Sequence, residues 1–175
     1  MNTQSPESPN AGDARDTGET VIESHEQGER VIGELLAGAR RRILVLGPVI
    51  ELDCFRREDT ADRLARFVAV HRYNEVRILL DRADEFTVRH PRLVTVYRRL
   101  SPLIDIRCVP ESFLPLDETF LTTDTGGYYR QRLRGRARPT AMLSAPGVAR
   151  ELARSFDSLW PYGEAVPSLA TTGLR

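Results

Sequence analysis

The stretch Asp117-Glu118-Thr119-Phe120-Leu121-Thr122-Thr123-Asp124 carries carboxylates at both ends of eight residues. Carboxylates held together work as an acid–base pair, or collect a hard divalent cation through oxygen. Glu51, Asp53, Asp81 and Glu111 each follow an apolar run. They join Asp117 and Glu118 as candidate ligand-binding groups on one rim. The competing reading is that these acids cap helices or pair with Arg56, Arg57, Arg82 and Arg107. No metal-ligand motif of recognisable spacing accompanies them, so neither a metal nor a cofactor is expected.

A second feature is Arg130-Gln131-Arg132-Leu133-Arg134-Gly135-Arg136-Ala137-Arg138. Its arginines, Arg130, Arg132, Arg134, Arg136 and Arg138, fall at every second position. On one strand they would share a face at intervals of about 6.6–6.8 Å. That ladder could track the phosphates of an extended nucleic-acid strand. Against it, Gly135 can break the strand, arginines can protect a sheet edge, or the acidic first helix can neutralise them. Cys54 and Cys108 read as reduced, partly buried apolar residues.

These groups must be positioned by elements that alternate along the chain. Val21, Ile22, His25, Ile32, Leu35 and Leu36 recur at helical spacing, which predicts a helix from Thr17 or Thr20 to Gly38. Arg42–Leu46 ends in Gly47-Pro48 and reads as a strand buried on both faces, hence parallel. A helix capped by Asp59 or Thr60 follows, presenting Leu64, Phe67, Val68 and His71. Val76–Leu80, a helix over Pro91–Leu100, and Ile104–Val109 complete a parallel βαβαβ core. Phe120–Asp124 and Gly127–Arg130 flank a Thr/Gly turn and predict an antiparallel hairpin. Thr140–Ser144 is a further strand. Ser144-Ala145-Pro146 opens a last helix with Val148, Leu152, Phe156, Leu159 and Trp160 on its apolar stripe. The expected fold is α/β, a mixed sheet with a parallel core and a hairpin extension, flanked by helices. Its expected divisions are a disordered acidic leader at 1–18, one domain at 19–163, and a tail at 164–175.

The 175 residues allow one domain with a sizeable core, and a 41% hydrophobic content excludes wholesale disorder. No apolar run approaches the ~18 residues of a membrane span. No basic-then-apolar leader is present either, so a cytoplasmic, bacterial-type protein is expected. The 25 basic and 25 acidic side chains cancel, and every basic one is Arg. The cancellation hides an asymmetry. Residues 1–34 hold eight acids against two arginines, a net −6, which leaves +6 on the remainder.

The order of elements resembles one half of the phospholipase D superfamily fold. The strand Met142-Leu143-Ser144 leading through Ala145-Pro146 to Phe156-Asp157-Ser158-Leu159-Trp160 is the best local match. The superfamily signature is His-x-Lys-x-x-x-x-Asp, and here Asp124 stands at its Asp, Asp117 at its nucleophilic His and Thr119 at its phosphate-binding Lys. The Gly-Ser-x-Asn stretch that follows in active members survives only as Gly126-Gly127. A carboxylate at 117 repels an anionic phosphodiester, and a hydroxyl at 119 supplies no positive charge. His25, His71 and His90 lie elsewhere in the element order. The resemblance therefore implies an inactive domain acting as a binding or protein-interaction module. Because active members set two halves face to face, it also implies a homodimer or a protein partner. Two alternatives stand beside it: phosphate or nucleic-acid binding through the arginine run, and a hydrolase with a repurposed carboxylate site at Asp117, Glu118 and Asp124.

Overall fold

In a computed structural model, residues 18–84 and 86–169 are described. The leader expected at 1–18 thus falls, up to residue 17, outside the described residues. The elements are β1 (Thr20–Val21), α1 (His25–Gly38), β2 (Arg42–Leu46), α2 (Asp53–Arg56), α3 (Glu58–Val70), β3 (Glu75–Leu80) and α4 (Phe86–Arg89). There follow α5 (Pro91–Leu100), β4 (Ile104–Cys108), β5 (Glu118–Thr123), β6 (Tyr128–Arg132), β7 (Thr140–Met142), α6 (Pro146–Leu159) and β8 (Glu164–Ala165).

The strands form one mixed sheet in the order β1-β7-β6-β5-β2-β3-β4-β8. β2, β3 and β4 run parallel, as the helices between them allow, and the other pairings are antiparallel. Alternation splits each central strand between two cores. Ile43 and Val45 of β2 pack with Ile32 and Leu35 of α1, Leu64 and Val68 of α3, and Leu93 and Val96 of α5. Leu44 and Leu46 point the other way, to Leu152 and Phe156 of α6 and to Trp160. Helices α1, α3 and α5 thus cover one face and α6 the other. No helix among the described residues is long and apolar enough to cross a membrane.

Local chemistry moves several boundaries. Thr20 and Val21, expected in the first helix, instead pair with Ala141 and Thr140. Ser24 stops the helix from starting earlier: its Oγ accepts the Gln27 N–H at 3.2 Å, while Gln27 Oε1 accepts the Glu23 N–H at 2.8 Å. Neither Asp59 nor Thr60 caps α3, which begins at Glu58 without a side-chain cap. Ser144 does not cap α6; Ala145 holds that position and Pro146 opens the helix. The segment after Gly163, expected to be a tail, pairs with β4 through β8 and buries Val166 and Leu169.

Candidate functional site

The parallel strands β2, β3 and β4 aim their C-terminal ends at one rim, the usual ligand-binding edge of an open α/β sheet. An open cleft of about 670 Å3 lies there. Asp81 after β3 and Glu111 after β4 contribute acids, Arg82 and Arg134 contribute cations, and Leu114, Pro115, Leu116 and Leu133 form an apolar floor. Leu133 is 39% exposed, which leaves that floor open to contact.

Asp117 and Thr119 stand beside this cleft, Asp117 just before β5 and Thr119 as its second residue. The Asp117 carboxylate is paired with Arg134 Nε at 2.6 Å. Thr119 is buried, and its hydroxyl works on the backbone. Thr119 Oγ1 donates to the Leu46 carbonyl at 2.5 Å and accepts the Val49 N–H at 2.8 Å. It thereby fastens the single turn Gly47–Glu51 across the end of β2. Gly47 makes that turn at φ 70°, where a Cβ would also meet Leu116 at 2.9 Å.

Asp124 is not part of this group. β5 runs antiparallel to β2, so its two ends lie on opposite rims of the sheet, roughly 20 Å apart. Asp124 Oδ1 accepts the backbone N–H groups of Arg40, Arg41 and Arg42 at 3.0, 3.0 and 3.1 Å. Burial alone would raise its carboxyl, but the Arg41, Arg40 and Arg42 donors prevail and hold it below the usual carboxylate range. The repurposed carboxylate site expected from Asp117, Glu118 and Asp124 is therefore not assembled. Glu118 sits in register with Arg132 at the start of β5. Asp53 is drawn instead to the α1 face, beside Arg56 at 3.3 Å and His25 at 3.4 Å. The Glu51 side chain lies outside the described residues.

The arginine run is not one ladder. β6 ends at Arg132, and residues 134–136 form a turn in which Gly135 adopts φ 77°. Arg130 pairs with Glu19 at 3.2 Å, Arg134 with Asp117, and Arg138 with Glu23. Arg132 is exposed at the strand end, and the Arg136 side chain lies outside the described residues. Glu19 anchors a cluster that no local pattern announces. Its Oε1 accepts the Tyr128 hydroxyl at 2.5 Å, the Thr140 hydroxyl at 2.7 Å and Arg130. Burial raises the Glu19 carboxyl, but these donors and the Arg130 charge outweigh it and hold the group low. Burial and the bond to Glu19 push the Tyr128 hydroxyl up. Cys54 is buried, and burial reinforced by the Glu29 charge pushes its thiol up to about 12, so it stays a thiol at neutral pH.

A family model described as a domain of unknown function (DUF7931) matches residues 24–171. No curated protein matches the sequence. Among solved structures, the chain is similar to TrmBL2, described as an archaeal chromatin protein with a novel mode of DNA binding. The TM-score is 0.61 at 15% identity, over 87% of this chain and 55% of that one. The chain thus spans about half the length of that protein, and the likeness is one of fold.

Proposed function

This chain belongs to the DUF7931 family of domains of unknown function, and we propose that it is a non-catalytic, phospholipase D-like binding domain that pairs with a second copy of itself. One observation carries the reading: the polar groups at the positions of the superfamily signature are already engaged. Thr119 and Asp124 bond to backbone, and Asp117 is neutralised by Arg134. No imidazole or ammonium group stands at these positions to attack or hold a phosphate.

What the rim offers is a surface. A cleft of this size with an apolar floor and charges of both signs suits a partner better than a single small ion. Two-fold association requires a patch complementary to itself. Arg82 and Glu111, exposed at the edge of the cleft, meet that requirement, since the cation of each copy can face the acid of the other. In active superfamily members the two halves meet over their signatures, and this cleft lies against that position here.

Light scattering after size-exclusion chromatography should report twice 19.7 kDa, and Leu133→Arg should report one chain. A strict monomer at high concentration overturns the pairing. The chain should not hydrolyse a chromogenic phosphodiester; turnover that disappears in Asp117→Ala would sink the non-catalytic reading. DNA binding, named for TrmBL2, is the second reading. It would be selected by salt-dependent binding of a fluorescent oligonucleotide that is lost when Arg130, Arg132 and Arg134 are neutralised. The pairing of Arg130, Arg134 and Arg138 with acids weighs against it.

A further inference from the structure

We propose that His25, Glu29 and Asp53 form a binding site for a divalent transition-metal cation of the zinc type, joining the start of α1 to α2. The ligand atoms His25 Nε2, Glu29 Oε1 and Asp53 Oδ2 converge, all within 4.8 Å of one another. His25 is the first residue of α1 and Glu29 lies one turn on, so both side chains share a helix face. Asp53, the first residue of α2, arrives from across the fold.

The distances match the chemistry. His25 Nε2 is 3.4 Å from Glu29 Oε1 and 3.4 Å from Asp53 Oδ2. Nitrogen and oxygen ligands bind zinc at ~2.0–2.2 Å, so the edge of such a tetrahedron measures about 3.3–3.5 Å. Two edges already have that length. One imidazole with two carboxylates is also the donor set that zinc accepts, whereas calcium and magnesium prefer oxygen alone.

The carboxylates are held from behind. Arg57 binds Glu29 through Oε2 at 3.0 Å, and Arg56 binds Asp53 through Oδ1 at 3.3 Å. In each case the remaining oxygen is the one turned toward His25. Outer groups of this kind commonly orient metal ligands. Glu29 Oε1 is fully buried and makes no hydrogen bond, facing the His25 imidazole at the longer distance of 3.4 Å. Buried carboxylate oxygens are rarely left so, and a cation at the convergence point would satisfy it. His25 and Asp53 are 54% and 60% exposed, which provides an entry path and leaves a fourth position to solvent.

The test uses the full chain stripped with a chelator and titrated with zinc chloride in a calorimeter, with melting followed in parallel. One equivalent should bind saturably and raise the melting temperature. His25→Ala and Asp53→Asn should each weaken binding by at least ~10-fold, the lower end of what even an outer-group substitution costs. Both changes fall on exposed side chains, so circular dichroism should show the parent fold. His71→Ala should bind as the parent does, and cobalt should give a visible absorption band that His25→Ala lacks. The proposal is overturned by no saturable zinc binding, by equal binding in His25→Ala, or by loss of binding in His71→Ala.

Discussion

At the scale of single residues, the polar side chains of Thr119 and Asp124 maintain the backbone. Thr119 is 2% exposed and closes two hydrogen bonds around the end of β2. Thr119→Val keeps the shape but strands the Val49 N–H, and should cost about 1–3 kcal/mol in urea unfolding. Asp124 gathers the N–H groups of Arg40, Arg41 and Arg42 much as a helix cap does. Asp124→Ala should cost about 1–2 kcal/mol. The pH dependence has a definite sign. A carboxyl held low in the folded state stabilises fully above its unfolded value of about 4, and that contribution disappears as pH falls through the folded value. Asp124→Ala should therefore lose less stability than the parent between neutral pH and pH ~3. The stretch 117–124 shows the right residue types at the right spacing. The strand expected over Phe120–Asp124 already holds its two ends apart.

At the scale of elements, the long periodic segments form as their patterns dictate. β2, β3 and β4 and the helices α3, α5 and α6 lie within a few residues of expectation. β1 and β8 have two residues each, too few for any period, and their existence depends on partners at Thr140–Ala141 and Arg107–Cys108. The β8 segment is nonetheless part of the packed fold, since Leu169 beyond it is 3% exposed in the core with α1, α3 and α5. Leu169→Ala should destabilise by about 2–5 kcal/mol in thermal or urea unfolding. An ordinary surface tail residue would change stability by under ~0.5 kcal/mol.

For the whole molecule, the charge asymmetry becomes a contact. The acids at the N-terminal end lie against the basic segment more than a hundred residues away, with Glu19 on Arg130 and Glu23 on Arg138. These two pairs offset part of the charge on the basic face. The double variant Glu19→Gln, Glu23→Gln should gain oligonucleotide affinity that falls steeply with salt, read by fluorescence anisotropy at low and high ionic strength. An unchanged, weak signal would show that the arginines are not held in check by these acids.

Sequence alone determined the class of fold, the buried faces of its main elements and the hairpin. Each of these is local, written in apolar periodicity and turn residues. Only the tertiary structure decided which distant groups meet. The fold of α2 back onto α1 brings Asp53 to His25 and Glu29. It also set Glu19 among Tyr128, Arg130 and Thr140. Strand order and crossover path fix such meetings, and neither leaves a period in the chain to be read.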